Sequence, residues 1–560
     1  MNLLGQIAAG IKTALETAAL EARRRGELSF ESFPEFTVEV PRERGHGDLA
    51  TNLALVLARA AGRPPREIGE TILRHLRPAG TWIQAAEIAG PGFINFRLDP
   101  GWVYRVPALV EAQQDRWGDC DLGAGVKVQV EFVSANPTGL LHMGNARGAA
   151  LGDTLANVLA AAGYQVTREY YINDAGHQIE NFALSLEARY LELFGREAVF
   201  PEEGYHGEDL VDTVRAFAER CGERYLEVSP EERRRALVDF ALEEKLTGIR
   251  RSLERFGVHY DVWFSEQSLH SRGQVRETLR ELERRGFLYE QEGAVWFRAS
   301  SLANAKDEVV VRSSGVPTYF AADIAYHVNK FARGFERVIN IWGADHHGHV
   351  ARLKAAMAAL GYDPERVTVI IMQLVRLFQG GELLRMSKRT GQYVTLDELL
   401  DEVGKDAARY FFLLRSADSH LDFDLDLAKS QSEENPVYYV QYAHARIASI
   451  LRHAEAEGYE VPAADEVDVR RLTHPAEIEL LRKIADWPGV VEAAARALEP
   501  HRLPYYAHEL ASTFHRFYTQ CRVLHPDPGL RGARLLLVKI TQRTLARVLS
   551  LMGVSAPESM

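Results

Sequence analysis

The feature that most restricts the fold of this chain is a strand, a turn and a helix start in immediate succession. Residues 126–133 have the apolar composition of a strand, and a helix-like run begins at Ala146. The turn between them, residues 134–145, contains proline and glycine. Backbone N–H groups and the helix dipole both point at an anion that approaches such a helix start. The stretch therefore predicts a phosphate-binding site.

Two residues of this turn suit nucleotide chemistry. Gly144 has no side chain, so a flat base can lie against the backbone there. The imidazole of His142 can donate a hydrogen bond to a phosphate oxygen as charge develops on it. A strand, a turn and one histidine are also common in sites of other kinds, so the turn alone does not decide the function.

A second stretch, residues 380–391, strengthens the nucleotide interpretation. Glycines flank a loop that carries the cations Arg385, Lys388 and Arg389 and the small hydroxyl of Ser387. Such a loop suits a mobile clamp over a triphosphate. Taken alone, it fits a solvated basic turn better.

The two stretches, in this order, resemble the paired signatures of class I aminoacyl-tRNA synthetases. The second histidine of the first signature is Asn145 here, and the first lysine and last serine of the loop are Arg385 and Arg389. An asparagine amide donates a hydrogen bond but carries no charge, and an arginine presents its charge as a planar fork. The resemblance implies that His142 and Lys388 are catalytic, with Lys388 stabilising the pyrophosphate leaving group. It implies an ATP site formed by His142, Gly144, Asn145, Arg385, Met386, Ser387 and Lys388.

Among these enzymes the chain is similar to arginyl-tRNA synthetases over nearly its whole length. Five further stretches in one order carry this resemblance. They are residues 130–139, 171–176, 261–265, 342–349 and 555–558. The resemblance implies that ATP, L-arginine and tRNA(Arg) are the substrates and that arginyl-adenylate is the intermediate. Mg²⁺ is expected to accompany ATP, although no protein ligand for it can be named.

An arginine site must satisfy a guanidinium, which has five N–H donors and a delocalised charge. Asp323 and Tyr319 are four residues apart in a helix-like run, which places both on one helix face, and the resemblance assigns them to the substrate side chain. A helix cap or a surface acid remains the alternative for Asp323. Glu131 and Asn136 would bind the α-amino group, with Ser134 nearby. The complete expected arginine site is Glu131, Ser134, Asn136, Tyr319, Asp323 and His346.

A histidine-rich stretch leaves two alternatives of other classes open. Its residues are Asp345, His346, His347 and His349. A dense His/Asp cluster after a strand can hold divalent metals for phosphoester hydrolysis. Nothing elsewhere in the sequence supplies a second ligand group, so a metal-dependent phosphoesterase is disfavoured and no protein-bound metal is expected. A non-catalytic tRNA-binding homologue is disfavoured because both signature stretches keep their central residues.

Pattern shifts along the chain predict three domains. Residues 1–105 form a small α+β module. Residues 120–400 alternate short apolar strands with helices, which predicts a Rossmann-like fold whose parallel sheet binds ligand at the carboxyl ends of its strands. A charge-rich helical stretch at about 196–295 is interpreted as an insertion that splits this fold. Residues 401–560 are helical, and the resemblance makes them an anticodon-binding domain.

The formal net charge of −12 argues at first against a polyanionic partner, but a local basic face is what sets binding to phosphates. Between residues 511 and 560, seven Lys or Arg residues oppose two acids, so this end is the expected RNA surface. For the N-terminal module, a helix start without a ligand is an equal alternative. The resemblance implies that the N-terminal module contacts tRNA through Asn52 and the turn 42–44. The basic C-terminal end adds Arg516, Arg543 and Arg547 as expected contacts.

Composition indicates a cytoplasmic enzyme. The three cysteines, Cys120, Cys221 and Cys521, are far apart, which indicates neither a disulfide framework nor a thiolate zinc site. The N-terminus lacks the pattern of an export signal, and no run of eighteen apolar residues occurs. We therefore expect a cytosolic protein without membrane contact, and a monomer.

Overall fold

The computed structural model describes residues 2–41, 43–202, 204–303, 305–384 and 394–560. An α+β module, a parallel-sheet region and a helical region follow one another along the chain. This is the fold class predicted from the sequence, and it is confirmed. None of the helices in these ranges is long and apolar enough to cross a membrane.

The first module consists of three helices and a small antiparallel sheet. Its elements are α1 (Leu3–Arg24), β1 (Val38–Glu39), β2 (Leu49–Thr51), α2 (Leu53–Ala61), α3 (Pro65–His75), β3 (Ile83–Ala89) and β4 (Phe93–Leu98). The strands pair in the order β1-β2-β4-β3, with antiparallel neighbours throughout. Ile7, Ile11 and Leu15 recur at helical spacing on α1 and are buried, so an amphipathic stripe holds this helix in the core.

A five-stranded parallel sheet forms the centre of the second region. The first half of the region contains α4 (Val106–Gln113), β5 (Lys127–Glu131), α5 (Met143–Ala161), β6 (Gln165–Ile172), α6 (His177–Leu193), α7 (Glu208–Cys221), α8 (Pro230–Arg255) and β7 (Val262–Ser265). The second half contains α9 (Gln267–Ser271), α10 (Gln274–Arg284), β8 (Leu288–Gln291), β9 (Ala294–Phe297), β10 (Glu308–Val311), α11 (Tyr319–Ala332), β11 (Arg337–Gly343), α12 (His347–Ala359) and β12 (Val367–Met372).

The strand order of this sheet determines where a ligand can bind. The strands pair in parallel in the order β12-β11-β5-β6-β7. Val128, Gln129 and Val130 of β5 are all fully buried, as expected for a parallel strand with elements packed on both faces. The chain runs outward from β5 in both directions, and the crevice at such a switch point, beyond the carboxyl ends of the strands, is where open parallel sheets bind ligands.

The bounds predicted for the helical insertion, residues 196–295, include segments that are not helical. Within residues 196–295, α7 and α8 are helical as expected, but β7 pairs with β6 in the parallel sheet. Residues 288–291 and 294–297 form a hairpin that pairs with β10 in a separate three-stranded sheet. The sequence pattern did not reveal these short strands, because charged helical stretches dominate this segment. We therefore propose that the helical insertion ends before β7, and the domain boundaries remain predictions.

Helices dominate the remainder of the chain. Its elements are β13 (Val375–Gln379), β14 (Glu382–Leu384), α13 (Leu396–Phe412), β15 (Leu421–Asp424), α14 (Leu425–Lys429), α15 (Pro436–Ala456), α16 (Pro475–Ala497), α17 (Arg502–Gln520) and α18 (Pro528–Met552). The strands β13, β14 and β15 form a small sheet that connects the parallel-sheet region to the helices. The predicted helical C-terminal domain is confirmed, with β15 as a strand near its start.

Helix α5 lies at the centre of the molecule. Most of its residues are buried, and its glycines permit close approach: a Cβ on Gly152 would lie 2.1 Å from Cγ of Phe132. Because α5 begins at His142, the packing of this helix fixes the position of the predicted phosphate-binding turn.

The C-terminal end of α18 is connected through Arg409 to Asp153, which lies outside the helical region. Arg409 on α13 donates from Nε to the Met552 carbonyl at 2.6 Å and from Nη2 to Oδ2 of Asp153 on α5 at 2.5 Å. Gly553 follows with a φ of +68°, and a Cβ there would lie 2.4 Å from the Arg409 guanidinium carbon. Arg409 is fully buried. This α18 junction (Asp153, Arg409, Met552 and Gly553) therefore joins the helical region to the helix of the phosphate-binding turn.

Candidate active site

The phosphate-binding turn is built around His142, which caps α5. The Gly144 N–H donates to Nδ1 of His142 at 3.1 Å, and the His142 N–H donates to Oδ1 of Asn145 at 3.0 Å. Because a backbone N–H can only donate, Nδ1 of His142 accepts in this contact and Nε2 is the ring nitrogen that carries a proton. The role of His142 as a donor to phosphate stays a prediction.

Asn145 and Gly144 have structural reasons to be present. The Asn145 amide oxygen completes a reciprocal capping box with His142. A Cβ on Gly144 would lie 3.0 Å from Cε1 of His142, so a side chain there would crowd the imidazole. The backbone of this turn also bonds the start of α13, because the Leu396 N–H donates to the Leu141 carbonyl at 2.8 Å.

The second signature is described only as far as Leu384. Arg385, Met386, Ser387 and Lys388 lie outside the described residues, so their ATP-binding roles remain predictions. The chain leaves β14 at Leu384 and is described again from Val394. Thr395 then caps α13 and forms a β-bridge with His142.

The strand exit after β5 is strained. Val133 and Ser134 have φ values of +68° and +40°, which non-glycine residues adopt rarely and β-branched residues hardly at all. The Ser134 hydroxyl donates to Oε1 of Glu131 at 3.1 Å and accepts from the Tyr171 N–H at 3.1 Å. Backbone strain of this kind is concentrated at functional sites, and here it accompanies two residues predicted to bind arginine.

The predicted contacts for the α-amino group already have protein partners. Glu131 is buried and accepts from Lys330 Nζ at 2.6 Å through Oε2. The Asn136 amide donates to Oε1 of Gln178 at 2.7 Å. Glu131 therefore lies in a paired setting that the sequence did not indicate, because Lys330 is far from it in the chain.

Asp323 lies on α11 between two histidines. His349 donates from Nε2 to Oδ2 of Asp323 at 2.6 Å, and Nδ1 of His327 lies 3.3 Å from Oδ1. Burial raises the pKa of Asp323, but the contacts with His327 and His349 outweigh burial and hold that pKa below its ordinary value. Thr318 caps the helix, so the alternative of Asp323 as a helix cap is excluded. A surface acid is excluded as well, because its side chain is only 22% exposed.

Tyr319 and His346 lie at the solvent side of this cluster. Tyr319 is 63% exposed, and its ring stacks on His349 with centroids 5.9 Å apart. His346 is more than half exposed and its ring centroid lies 5.9 Å from that of Trp342. Both residues are thus accessible to a ligand that enters from solvent, and neither is required for packing.

Glu266 is a site residue that the sequence analysis missed. It follows β7 directly, is 6% exposed, and is hydrogen-bonded by Tyr171. Burial raises the pKa of Glu266 to about 7, and the charges of Asp174 and Asp323 add to the rise. The Ser265 hydroxyl donates to Oδ2 of Asp174 at 2.6 Å. Residues 261–265 carried part of the family resemblance, but no signal in the sequence extended the site by one residue.

Three carboxylates, Asp174, Glu266 and Asp323, thus act on one another at the carboxyl ends of the central strands. Like charges that are close and partly buried repel, and a bound cation relieves the repulsion. The cluster has acceptors for several N–H groups and lies at the strand ends where a ligand is expected. This arrangement suits a guanidinium.

The histidine-rich stretch does not form a metal site. Asp345, His346 and His347 are exposed, whereas His349 is buried against Asp323. Within the described ranges, no three His, Cys, Asp or Glu side chains are arranged to hold a metal ion. The metal-dependent phosphoesterase considered above therefore lacks its structural basis.

The residues predicted to contact tRNA differ in their exposure and in their protein partners. Arg516 pairs with Glu479 at 3.1 Å and Arg547 with Asp119 at 2.5 Å. The exposed fractions of these two arginine side chains are 51% and 19%, so the buried pairing of Arg547 makes it the weaker candidate. Asn52 accepts from the Thr37 N–H at 3.0 Å. Acids from outside residues 511–560 thus reduce the local positive charge that the sequence count suggested.

Three family models match successive parts of the chain. They are described as arginyl tRNA synthetase N terminal domain, for residues 5–98, tRNA synthetases class I (R), catalytic domain, for residues 108–415, and DALR anticodon binding domain, for residues 440–560.

Full-length relatives agree with the family models. An arginine–tRNA ligase of Moorella thermoacetica is 63% identical over 560 residues, and one of Desulfitobacterium hafniense is 61% identical over 562 residues; each comparison covers 100% of both chains. The solved structure of Thermus thermophilus arginyl-tRNA synthetase aligns with a TM-score of 0.76 at 25% identity, over 98% of this chain and 100% of that chain.

Proposed function

Because the chain belongs to the arginyl-tRNA synthetase family, we propose that the crevice beyond β5, β6, β7 and β11 activates arginine and transfers it to tRNA. The overall reaction is ATP-dependent attachment of L-arginine to tRNA. In the first step the arginine carboxylate attacks the α-phosphorus of ATP, which gives arginyl-adenylate and pyrophosphate. In the second step a terminal ribose hydroxyl of the tRNA attacks the mixed anhydride and AMP leaves.

His142 and Lys388 stabilise the negative charge that develops during the first step. The Nε2–H of His142 is fixed by the contact between Nδ1 and the Gly144 N–H, so it is preorganised to donate to a phosphate oxygen. The other ATP contacts are those predicted from the two signatures. No side chain has to act as a nucleophile, so positioning and charge stabilisation carry the catalysis. Mg²⁺ accompanies ATP in this proposal, and no protein ligand is assigned to it.

Arginine binds with its two charged ends at two acidic positions. Asp323 and Glu266 accept from the guanidinium, and the exposed Tyr319 covers it from the solvent side. Glu131, with Ser134 and Asn136, binds the α-amino group, and His346 lies at the entrance near the adenosine. The observation that carries the assignment is the grouping of Asp174, Glu266 and Asp323, where burial and then the charges of Asp174 and Asp323 raise the pKa of Glu266 to about 7. A bound cation would relieve this repulsion.

The helical region binds the anticodon arm. Aromatic and basic side chains on α15 and α17 support stacking on unpaired bases. Half-buried Arg446 lies over the rings of half-buried Tyr442 and exposed Tyr518, 4.6 Å and 5.3 Å from their centroids. Arg516 and Arg543 add charge in this proposal, Arg547 contributes less, and Asn52 contacts the tRNA from the N-terminal module. We also propose that the protein works as a cytoplasmic monomer.

An aminoacylation assay with arginine, lysine and citrulline tests this function. We expect charging of tRNA with arginine and none with lysine or citrulline, since only arginine supplies a planar cation with five donors. Charging with another amino acid, or binding of tRNA without any charging, would contradict the proposal. The second result would instead support a non-catalytic homologue.

A further inference from the structure

A chain of buried hydrogen bonds runs behind the proposed arginine site. Lys330 Nζ donates to Oε2 of Glu131 at 2.6 Å and to Oδ1 of Asn340 at 2.8 Å. The Asn340 amide nitrogen lies 2.8 Å from Nε2 of His327, whose Nδ1 lies 2.8 Å from the Asp323 carbonyl. Lys330, Asn340 and His327 are fully buried. We call these three side chains the buried relay; it links Glu131 to Asp323.

The direction of every bond in the buried relay is determined. A lysine ammonium can only donate, so the side of Asn340 that faces Lys330 must be its oxygen. The amide nitrogen of Asn340 then donates to His327, whose Nε2 must accept and carries no proton. Nδ1 of His327 donates to the backbone carbonyl of Asp323. The two ends of the relay therefore cannot exchange roles.

The buried relay uses one face of α11 and the strands beside it. Asp323, His327 and Lys330 follow one another at helical spacing on α11, while Asn340 and Glu131 lie on the paired strands β11 and β5, opposite each other in the register. Helix α11 and the centre of the sheet are thus bonded together along the length of the proposed site.

A buried lysine is costly, and well-packed apolar side chains commonly give equal or greater stability. The relay instead fixes geometry: Lys330 bonds the Glu131 carboxylate at 2.6 Å, and Nδ1 of His327 bonds the Asp323 carbonyl at 2.8 Å and lies 3.3 Å from the Asp323 carboxylate. We propose that Lys330, Asn340 and His327 are positioning residues that fix the separation of Glu131 and Asp323, and so set the side-chain length of the amino acid the site accepts. The inference rests on the proposed function of those two carboxylates.

Homoarginine, which has one more methylene than arginine, is the probe for this role. The rigid site of the natural protein should favour arginine, because homoarginine cannot satisfy both carboxylates at once. Asn340→Leu removes both bonds of the central residue with little change of volume. Asn340→Asp keeps the acceptor for Lys330 but cannot donate to His327. Each variant is assayed in the full chain with tRNA and ATP, and its unfolding midpoint is measured.

We expect both variants to raise the KM for arginine by about 10-fold to 100-fold, the usual effect of losing a bond to a buried charged group. The kcat and the KM for ATP should change by less than about 3-fold, since the ATP turn is untouched. The ratio of kcat/KM for arginine to kcat/KM for homoarginine should fall in both Asn340 variants. Tyr326→Phe is the matched control: its hydroxyl donates at 2.6 Å to Glu169, a buried acid on β6 outside the relay. This variant should lower the unfolding midpoint similarly and leave the KM for arginine unchanged.

Three results separate the possibilities. Folded Asn340 variants with an unchanged KM for arginine and an unchanged preference would overturn the inference and make the relay structural. If Asn340→Leu does not fold, Asn340→Asp alone decides by the same criterion, and a Tyr326→Phe variant that raises the KM equally would also overturn it. Failure of the natural protein to charge tRNA with arginine would contradict the proposed function instead.

Discussion

At the scale of single residues, the proposed arginine site is defined by two carboxylates that are largely buried. Asp323 and Glu266 are both screened from solvent, yet their pKa values move in opposite directions. Histidine contacts outweigh burial at Asp323 and lower its pKa, whereas burial dominates at Glu266 and raises its pKa to about 7. Asp323 is therefore charged before arginine arrives, and Glu266 titrates near neutral pH.

Arginine binding should depend on pH through Glu266. A guanidinium favours the ionised carboxylate, so binding expels a proton when the solution pH is below about 7. We expect the Kd for arginine to be constant above pH 8 and to rise by about 10-fold for each unit below the pKa of Glu266. Calorimetric titration between pH 5.5 and 8.5 measures this, with Glu266→Gln as the control that binds more weakly and without the pH dependence. A flat profile for the natural protein would exclude Glu266 from the guanidinium site.

The same carboxylate should affect stability. Its folded pKa lies above its ordinary value of 4.5, so the protein loses stability as the pH rises from about 4.5 to about 7 and keeps that loss above pH 7. Glu266→Gln should then increase the free energy of unfolding at pH 8 by on the order of 3 kcal/mol and change it little at pH 4.5. Denaturant titrations at the two pH values test this. A variant that is less stable at pH 8 would show that Glu266 is ionised and well paired without substrate.

Asp323→Asn tests whether Asp323 or Glu266 recognises the charge of the guanidinium. Loss of one side of a buried, hydrogen-bonded charge pair costs roughly 2–5 kcal/mol, or about 30-fold to several thousand-fold in affinity. We therefore expect a large rise in the KM for arginine and a smaller advantage over citrulline, which lacks the charge. ATP binding should be unaffected. Retention of the arginine preference would assign the charge recognition to Glu266 alone.

At the scale of elements, the start of α5 holds the histidine that we propose as the phosphate donor. The Asn145 oxygen accepts from the His142 N–H and so orients this residue. The missing histidine of the class signature is thus replaced here by a residue that stabilises the helix start. Two functions of one turn, helix capping and ATP binding, can be separated by substitution.

Asn145→Ala and Asn145→Asp should separate these two functions. The alanine variant loses the cap, which costs about 1 kcal/mol of stability, and frees the turn, so the unfolding midpoint and kcat should both fall. The aspartate variant keeps an acceptor for the His142 N–H and should keep the midpoint, but its charge repels the triphosphate and should raise the KM for ATP. Thermal unfolding and ATP-dependent charging assays measure both effects. An alanine variant equal to the natural protein in both assays would show that the position has no role.

Sequence patterns predicted the elements that carry the site better than the contacts between them. His142, Gly144 and Asp323 were found because a turn and a helix spacing restrict them locally. Glu266 and the buried relay were not, because they depend on strands and helices that meet only in the folded chain. Lys330 is the clearest case: nothing near it in sequence indicates that a buried glutamate on a central strand is its partner.

At the scale of the whole molecule, the α18 junction connects the C-terminal helices to α5, the helix that begins at the proposed ATP-binding turn. The ion pair of Arg409 and Asp153 is buried and carries the end of α18 with it. Arg534 and Glu477 form a second buried pair at 2.6 Å that lies within the helical region alone. Both pairs are buried, but the Arg409–Asp153 pair connects the helical region to α5, whereas the Arg534–Glu477 pair connects two helices of the helical region.

Arg409→Met and Arg534→Met should therefore behave differently. Each removes the nearest cation from a buried acid, which destabilises by about 3–5 kcal/mol. Of the two arginines only Arg409 pairs with a residue of α5, where Asn157 also donates to the Leu551 carbonyl. Only Arg409→Met should therefore also split thermal unfolding into two transitions and reduce kcat. Calorimetry and charging assays measure this. A single transition in Arg409→Met, or an equal loss of kcat in Arg534→Met, would show that the junction has no special role.

The α18 junction also constrains how this protein can be recombined. Gly553 leaves room for Arg409, and Arg409 pairs with Asp153, which also lies 3.4 Å from Nε of Arg168. The three positions of the junction therefore depend on one another. A chimera that takes its C-terminal helices from a relative with a side chain at the position of Gly553 would force Arg409 out of its place and leave Asp153 charged and buried. Exchange of domains between relatives should thus succeed only when all three positions come from one parent.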